Sequence, residues 1–171
     1  NDLYPKIREL AAKKNLEKHG NMVSLDYIKN FGYYCTESSE HNAEYNPFYI
    51  KSKYPELIDR FNIPLDEYPR RCVNQIEKWK NKKEQLADDT NLTHTRSKEY
   101  GSRIINSIVT GEVYKIGGNV LNTGLITNLP QNACVEVPCM VDRAGIQPTF
   151  IGDLPIQLAA MNISNINPQL L

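Results

Sequence analysis

The apolar residues of this 171-residue chain change period two thirds of the way along. Up to about residue 109 they recur every three or four positions, as on one face of a helix; from Glu112 onward they alternate, as on a half-buried strand. Helices followed by a small sheet predict an α+β architecture.

Prolines and glycines supply the punctuation. Pro5 suits the first turn of a helix carrying Ile7, Leu10 and Ala11, with Gly20 as its C-cap. Ser24 is the expected N-cap of a short helix that stops at Gly32. Pro55 opens another with Leu57, Ile58 and Phe61 on one face, and Pro69 to Leu86 reads as a half-exposed helix carrying Val73, Ile76 and Trp79. Arg96 to Val109 repeats the pattern with Tyr100, Ile104, Ile105 and Ile108 inward. Strands are expected at Glu112–Ile116, Ala133–Val141 and Thr149–Ile151, with turns at Gly117-Gly118, Gly124 and Gly145. Asp153 should cap a closing helix that has Pro155 in its first turn.

Charge follows the same division. Residues 51–103 carry twelve basic and nine acidic side chains, whereas residues 104–171 hold only Glu112, Lys115, Glu136, Asp142, Arg143 and Asp153. The last third should therefore be buried, or covered by a partner subunit or another domain. Overall the charges cancel, which argues against a nucleic-acid partner, and no apolar run approaches the ~20 residues of a membrane span. The length suits one domain. Cys35, Cys72, Cys134 and Cys139 form no C-x-x-C pair, which favours a reducing, cytoplasmic setting; Cys134 and Cys139, an odd number apart on one strand, should face opposite ways. In that setting the sequons at Asn91 and Asn162 are accidental. The lysines between Lys78 and Lys83 read as a solvated helix face, and His19 and His94 as surface residues.

No G-x-G-x-x-G, Walker loop, H-E-x-x-H or G-x-S-x-G is present, so no self-contained cofactor site can be assigned. Two polar stretches stand out. Between Gly32 and Pro47 lie Glu37, Glu40, His41, Glu44 and Tyr45, each a possible acid, base or ligand; a capped loop followed by a helix would use the same residues. These carboxylates and His41 also have the donor set of a metal site, although a lone histidine is more often simply hydrogen-bonded. Between Gly118 and Pro138, Asn119, Asn122 and Asn128 suit a polyhydroxylated ligand, or equally the turns beside Gly and Pro.

The same stretches carry a resemblance. Phe31-Gly-Tyr-Tyr-Cys-Thr-Glu-Ser-Ser-Glu-His-Asn-Ala-Glu-Tyr45, His94-Thr-Arg-Ser-Lys-Glu-Tyr100, Asn119-Val-Leu-Asn-Thr-Gly-Leu-Ile-Thr-Asn-Leu-Pro130 and Val135-Glu-Val-Pro-Cys-Met-Val-Asp-Arg-Ala-Gly-Ile-Gln-Pro148 together resemble glycoside hydrolase family 4. Thr36-Glu-Ser-Ser-Glu-His41 is most similar to its α-galactosidase (melibiase) branch. The resemblance implies that residues 1–171 form the C-terminal domain, with a fold like that of the lactate and malate dehydrogenase C-terminal domains. The chain starts at Asn1 without an initiator Met, as an excised piece would, and the family's NAD-binding Rossmann domain and metal ligands are expected upstream.

The activity implied is α-galactoside hydrolysis with NAD and Mn2+ or another divalent metal, neither expected to bind this piece alone. The family oxidises C3 of the sugar, removes the C2 proton, eliminates the glycosidic oxygen, adds water and returns the hydride. By resemblance, Tyr45 is the general base and Arg96 a catalytic arginine, with His41 and Asn122 as substrate-binding residues. Tyr33, Tyr34 and Tyr49 compete for the base role. A homo-oligomer, dimer or tetramer, is implied. A non-catalytic carbohydrate-binding or oligomerisation domain is the alternative from another class; another sugar (α-glucoside, uronide, 6-phospho-glycoside) is the alternative within the family.

Overall fold

A computed structural model describes residues 2–13, 17–88 and 95–171. The chain forms two compact units, Asn1–His94 and Thr95–Leu171. Each has its own apolar core.

The first unit is helical. Helix α1 (Tyr4–Ala12) holds Pro5 in its first turn, and ends where Lys13 becomes extended. Gly20 is therefore not its cap; the Gly20 carbonyl accepts a bond from the Ser39 N–H instead. Helix α2 (Met22–Phe31) turns Val23, Leu25, Tyr27 and Ile28 into the core, and stops at Gly32, whose φ of 86° favours glycine. Ser24 is not the N-cap, which is Asn21. Buried within the helix, its hydroxyl donates to the Glu37 carbonyl at 3.1 Å and so ties down the following loop.

Helix α3 (Ser39–Tyr45) is followed by Phe48 and Tyr49, which join Tyr27, Phe31 and Phe61 in a chain of ring contacts at 4.9–6.3 Å. Pro55 opens α4 (Glu56–Arg60) as expected. Helix α5 (Glu67–Asp88) carries the expected helical pattern, but Val73, Ile76 and Trp79 are 58–64% exposed. Lys78, Lys80, Lys82 and Lys83 are exposed too.

In the second unit, α6 (Gly101–Thr110) begins five residues later than the spacing predicted, so Arg96 precedes the helix. Ser107 is its buried residue; Ile104 is half-buried, while Ile105, Ile108 and Tyr100 are exposed. Strands β1 (Tyr114–Leu121), β2 (Cys134–Asp142) and β3 (Gly145–Pro148) form an antiparallel sheet in the order β1-β2-β3. The α+β expectation is met.

Two details of the sheet differ from the reading. Gly117-Gly118 is no turn but the middle of β1, opposite Pro138 and Val137. The neighbouring strand leaves no room for a side chain at Gly118, whose Cβ would lie 2.7 Å from the buried Cys139 Sγ, whereas one on Gly117 would meet only the tip of the exposed Glu136 at 3.0 Å. Thr149–Ile151 falls after β3; Thr149 still binds the Pro138 carbonyl through both N–H and hydroxyl. The turns at Gly124 and Gly145 are present, both with positive φ, and Cys134 is exposed while Cys139 is buried.

Helix α7 (Ile156–Gln169) contributes Ala159 and Ile166 to a core shared with Ile116, Val135, Val137 and Val141. Its N-cap is Pro155 rather than Asp153, whose carboxylate accepts from the Thr127 hydroxyl. No helix among the described residues is long and apolar enough to cross a membrane. Asn91 and His94 lie outside the described residues.

Candidate functional site

Four residues carry the sequence-based site, two in each unit. In the first unit they sit on α3. Ser38 caps this helix by accepting the His41 N–H at 3.2 Å, and Ser39 accepts the Val23 N–H from α2 at 3.0 Å. Asn42 faces inward, donating to the Glu37 carbonyl and accepting from Cys35 Sγ. These buried bonds fix the helix on α2 and turn positions 41, 44 and 45 outward. They also mean that much of the polar stretch holds structure rather than ligand.

His41 and Tyr45, four residues apart, share that outer face, and their rings stack with centroids 6.1 Å apart. His41 Nδ1 lies 2.9 Å from Glu44 Oε2. This bond raises the His41 pKa above its ordinary 6.5, with smaller help from Glu37 and Glu40, and so favours an imidazolium beside the phenol. Tyr45 is 61% exposed, accessible to a partner or substrate.

The competing tyrosines differ. Tyr49 is buried and donates to Asp26 Oδ2 at 2.9 Å; burial first, and then the Asp26 charge, hold its phenol protonated far above the usual range. It has neither the access nor the ionisation for base work. Tyr33 is exposed, its ring edge-on to Tyr4 at 6.4 Å, and Tyr34 is half-buried.

The acidic residues of this stretch do not converge. Glu40 is buried toward Arg71 on α5, 3.6 Å away; Glu37 Oε1 accepts the Ser38 N–H; Glu44 serves His41. Among the described residues no three His, Cys, Asp or Glu side chains gather as a metal would require, so these residues do not fit a resident metal by themselves.

In the second unit Arg96 is exposed and lines an open cleft of about 470 Å3 with Ser102, Arg103, Asn106, Glu112 and Tyr114. Asn122 is fully buried. Its amide donates to the carbonyls of Ile126, Leu129 and Pro130 at 3.0–3.1 Å and accepts the Ile126 N–H at 2.8 Å. With both polar ends engaged, the side chain shapes the 122–130 loop. Asn128 exchanges two bonds with the Leu154 backbone and lashes the loop to the entry of α7. Arg103, Asn106 and Glu112, absent from the sequence-based site, are clear only once α6 and β1 are seen side by side.

The description "Family 4 glycosyl hydrolase C-terminal domain" matches residues 1–171, and the chain belongs to that family. It is 59% identical over 170 residues to the alpha-galactosidase of Bacillus subtilis, covering 99% of this chain and 39% of that protein. The crystal structure of Bacillus subtilis lplD superposes with a TM-score of 0.80 at 22% identity, over 99% of this chain and 42% of that one. A 6-phospho-beta glucosidase from Thermotoga maritima, solved with manganese, NAD+ and glucose-6-phosphate, shares the fold at a TM-score of 0.55 and 17% identity, over 98% of this chain and 36% of that one. The chain thus spans about two fifths of the length of such relatives.

Proposed function

We propose that this chain is the substrate-side C-terminal domain of a cytoplasmic α-galactosidase that uses NAD and a divalent metal, most simply Mn2+, and works as a homo-oligomer. The observation that carries the reading is the 59% identity to an α-galactosidase along 99% of the chain. Support for the cofactors comes from the Thermotoga maritima relative, which holds NAD+ and manganese. In this reading the family's Rossmann domain holds NAD, and the metal ligands, like it, lie outside residues 1–171.

In this reading Tyr45 takes the proton from C2 of a galactoside whose C3 has been oxidised. A free phenol titrates near 10, so base work at neutral pH needs positive charge nearby. His41, stacked on Tyr45 and biased toward its charged form by Glu44, offers one such charge and a hydrogen-bond donor for a sugar hydroxyl. Arg96 offers a planar fork for sugar or ketone oxygens. Asn122 acts through the loop it holds rather than through its own amide.

Turnover of matched chromogenic substrates by the full-length enzyme with NAD and Mn2+ tests the reading. The α-galactoside should be cleaved at least a hundredfold faster than the α-glucoside, α-galacturonide or 6-phosphate counterparts. Faster cleavage of any other member of the set overturns the assignment.

A further inference from the structure

We infer that the cleft between the start of α6 and the start of β1 is a subsite for a neutral pyranose, with Asn106 and Glu112 as its specificity-determining pair. The inference deepens the proposed function and rests on it for the identity of the sugar. All the residues involved lie between Arg96 and Tyr114, within one unit.

Size is the first argument. About 470 Å3 lies within the roughly 300–1,000 Å3 typical of small-molecule sites, ample for one hexose. Chemistry is the second. Arg96 and Arg103 alone would make an anion site, but Glu112 lines the same cleft and would repel a phosphate or uronate. Asn106 Nδ2 donates to Glu112 Oε2 at 3.2 Å, which fixes the carboxylate and leaves Glu112 Oε1 and Asn106 Oδ1 to accept from adjacent hydroxyls. Arg103 is itself fixed, its guanidinium 5.2 Å from the centre of the Tyr114 ring. Arginine donors and carboxylate and amide acceptors thus line one cleft, matching vicinal hydroxyls, which both donate and accept.

The test uses the 171-residue chain with methyl α-D-galactoside and galactose 6-phosphate as probes, followed by amide chemical-shift mapping. The neutral glycoside should shift signals from residues 96–114. Asn106→Ala should weaken it by about ten- to a hundredfold, as expected when a hydroxyl's charged or amide partner is removed. Glu112→Gln should weaken the neutral sugar and narrow or reverse the preference over galactose 6-phosphate. No shifts in this segment at saturating glycoside, or a Glu112→Gln chain with an unchanged preference, overturn the inference.

Kinetics of the full-length enzyme separate this inference from the functional reading. If α-galactosides are cleaved and both variants keep the wild-type KM, the subsite is wrong and the function stands. If α-galactosides are not cleaved, the function falls, and the mapping alone decides whether the cleft binds a neutral sugar.

Discussion

Tyr45 and Tyr49 are four residues apart, yet the structure gives them opposite fates. Tyr45 lies on the open face of α3 beside His41, whereas Tyr49 donates from the aromatic core to Asp26. If Tyr45 is the base, Tyr45→Phe in the full-length enzyme keeps the ring and should leave folding intact. Turnover should fall by about 10²–10⁴-fold with little change in substrate affinity, and exchange of the sugar C2 hydrogen with solvent should vanish. Near-normal turnover and C2 exchange would move the role to Tyr33 or Tyr34. Tyr49→Phe should instead cost about 1–2 kcal/mol of stability by leaving Asp26 short of a donor, which denaturant melts would report. The His41 titration is a further check at this scale. Its folded-state pKa is raised, so the His41–Glu44 bond adds stability fully below pH 6.5 and loses it as pH climbs through the folded value. With the pair about half exposed the gain is small. An NMR titration of the ring should show a midpoint above 6.5 that drops in Glu44→Gln; equal midpoints would remove Glu44 as the cause.

The elements show what local pattern can reveal and what pairing alone decides. Gly32 and Pro55 marked helix boundaries correctly because each acts through its own φ, a property already present in the sequence. Gly117-Gly118 was misleading because the reason for Gly118 lies on another strand, in the position of Cys139. Arg96 was assigned to a helix because apolar spacing does not see where a first turn closes. The asparagines of the second polar stretch had two readings, ligand or turn, and the bonds of Asn122 and Asn128 are those of the turn. The sequence singled out Tyr45 and His41 separately and missed that they share one face of α3, and Arg103, Asn106 and Glu112 carry no signal until α6 lies against β1. Two substitutions test these packing claims. Asn122→Ala leaves three carbonyls and one N–H without their buried partner and should destabilise the chain by about 2–4 kcal/mol. Gly118→Ala drives a methyl into the fully buried Cys139 sulfur and should cost about 1–3 kcal/mol. Chemical denaturation measures both, and a loss under about 0.5 kcal/mol in either would mean that the site relaxes freely.

At the scale of the whole molecule, the shortage of charge in residues 104–171 sets the expectation. Ten of its side chains form the buried core of the second unit, but most of the segment is not buried, and Ile105, Val109, Leu121, Phe150 and Ile156 remain 57–84% exposed. Exposed side chains of this size, with six charges among 68 residues to keep them apart, favour contact with another protein surface. Ile105 and Val109 are one helical turn apart on α6, so they form a stripe rather than scattered points. We therefore expect the 171-residue chain to self-associate through this unit, in keeping with the homo-oligomer proposed for the whole enzyme. Sedimentation velocity should show the average mass rising with concentration. Lysine at both Ile105 and Val109 should shift the population toward monomer, since two buried like charges facing their symmetry mates are costly. Because both side chains are exposed, the melting temperature of the dilute protein should change little. A wild-type chain that sediments as a monomer at high concentration would show that this apolar surface does not mediate self-association.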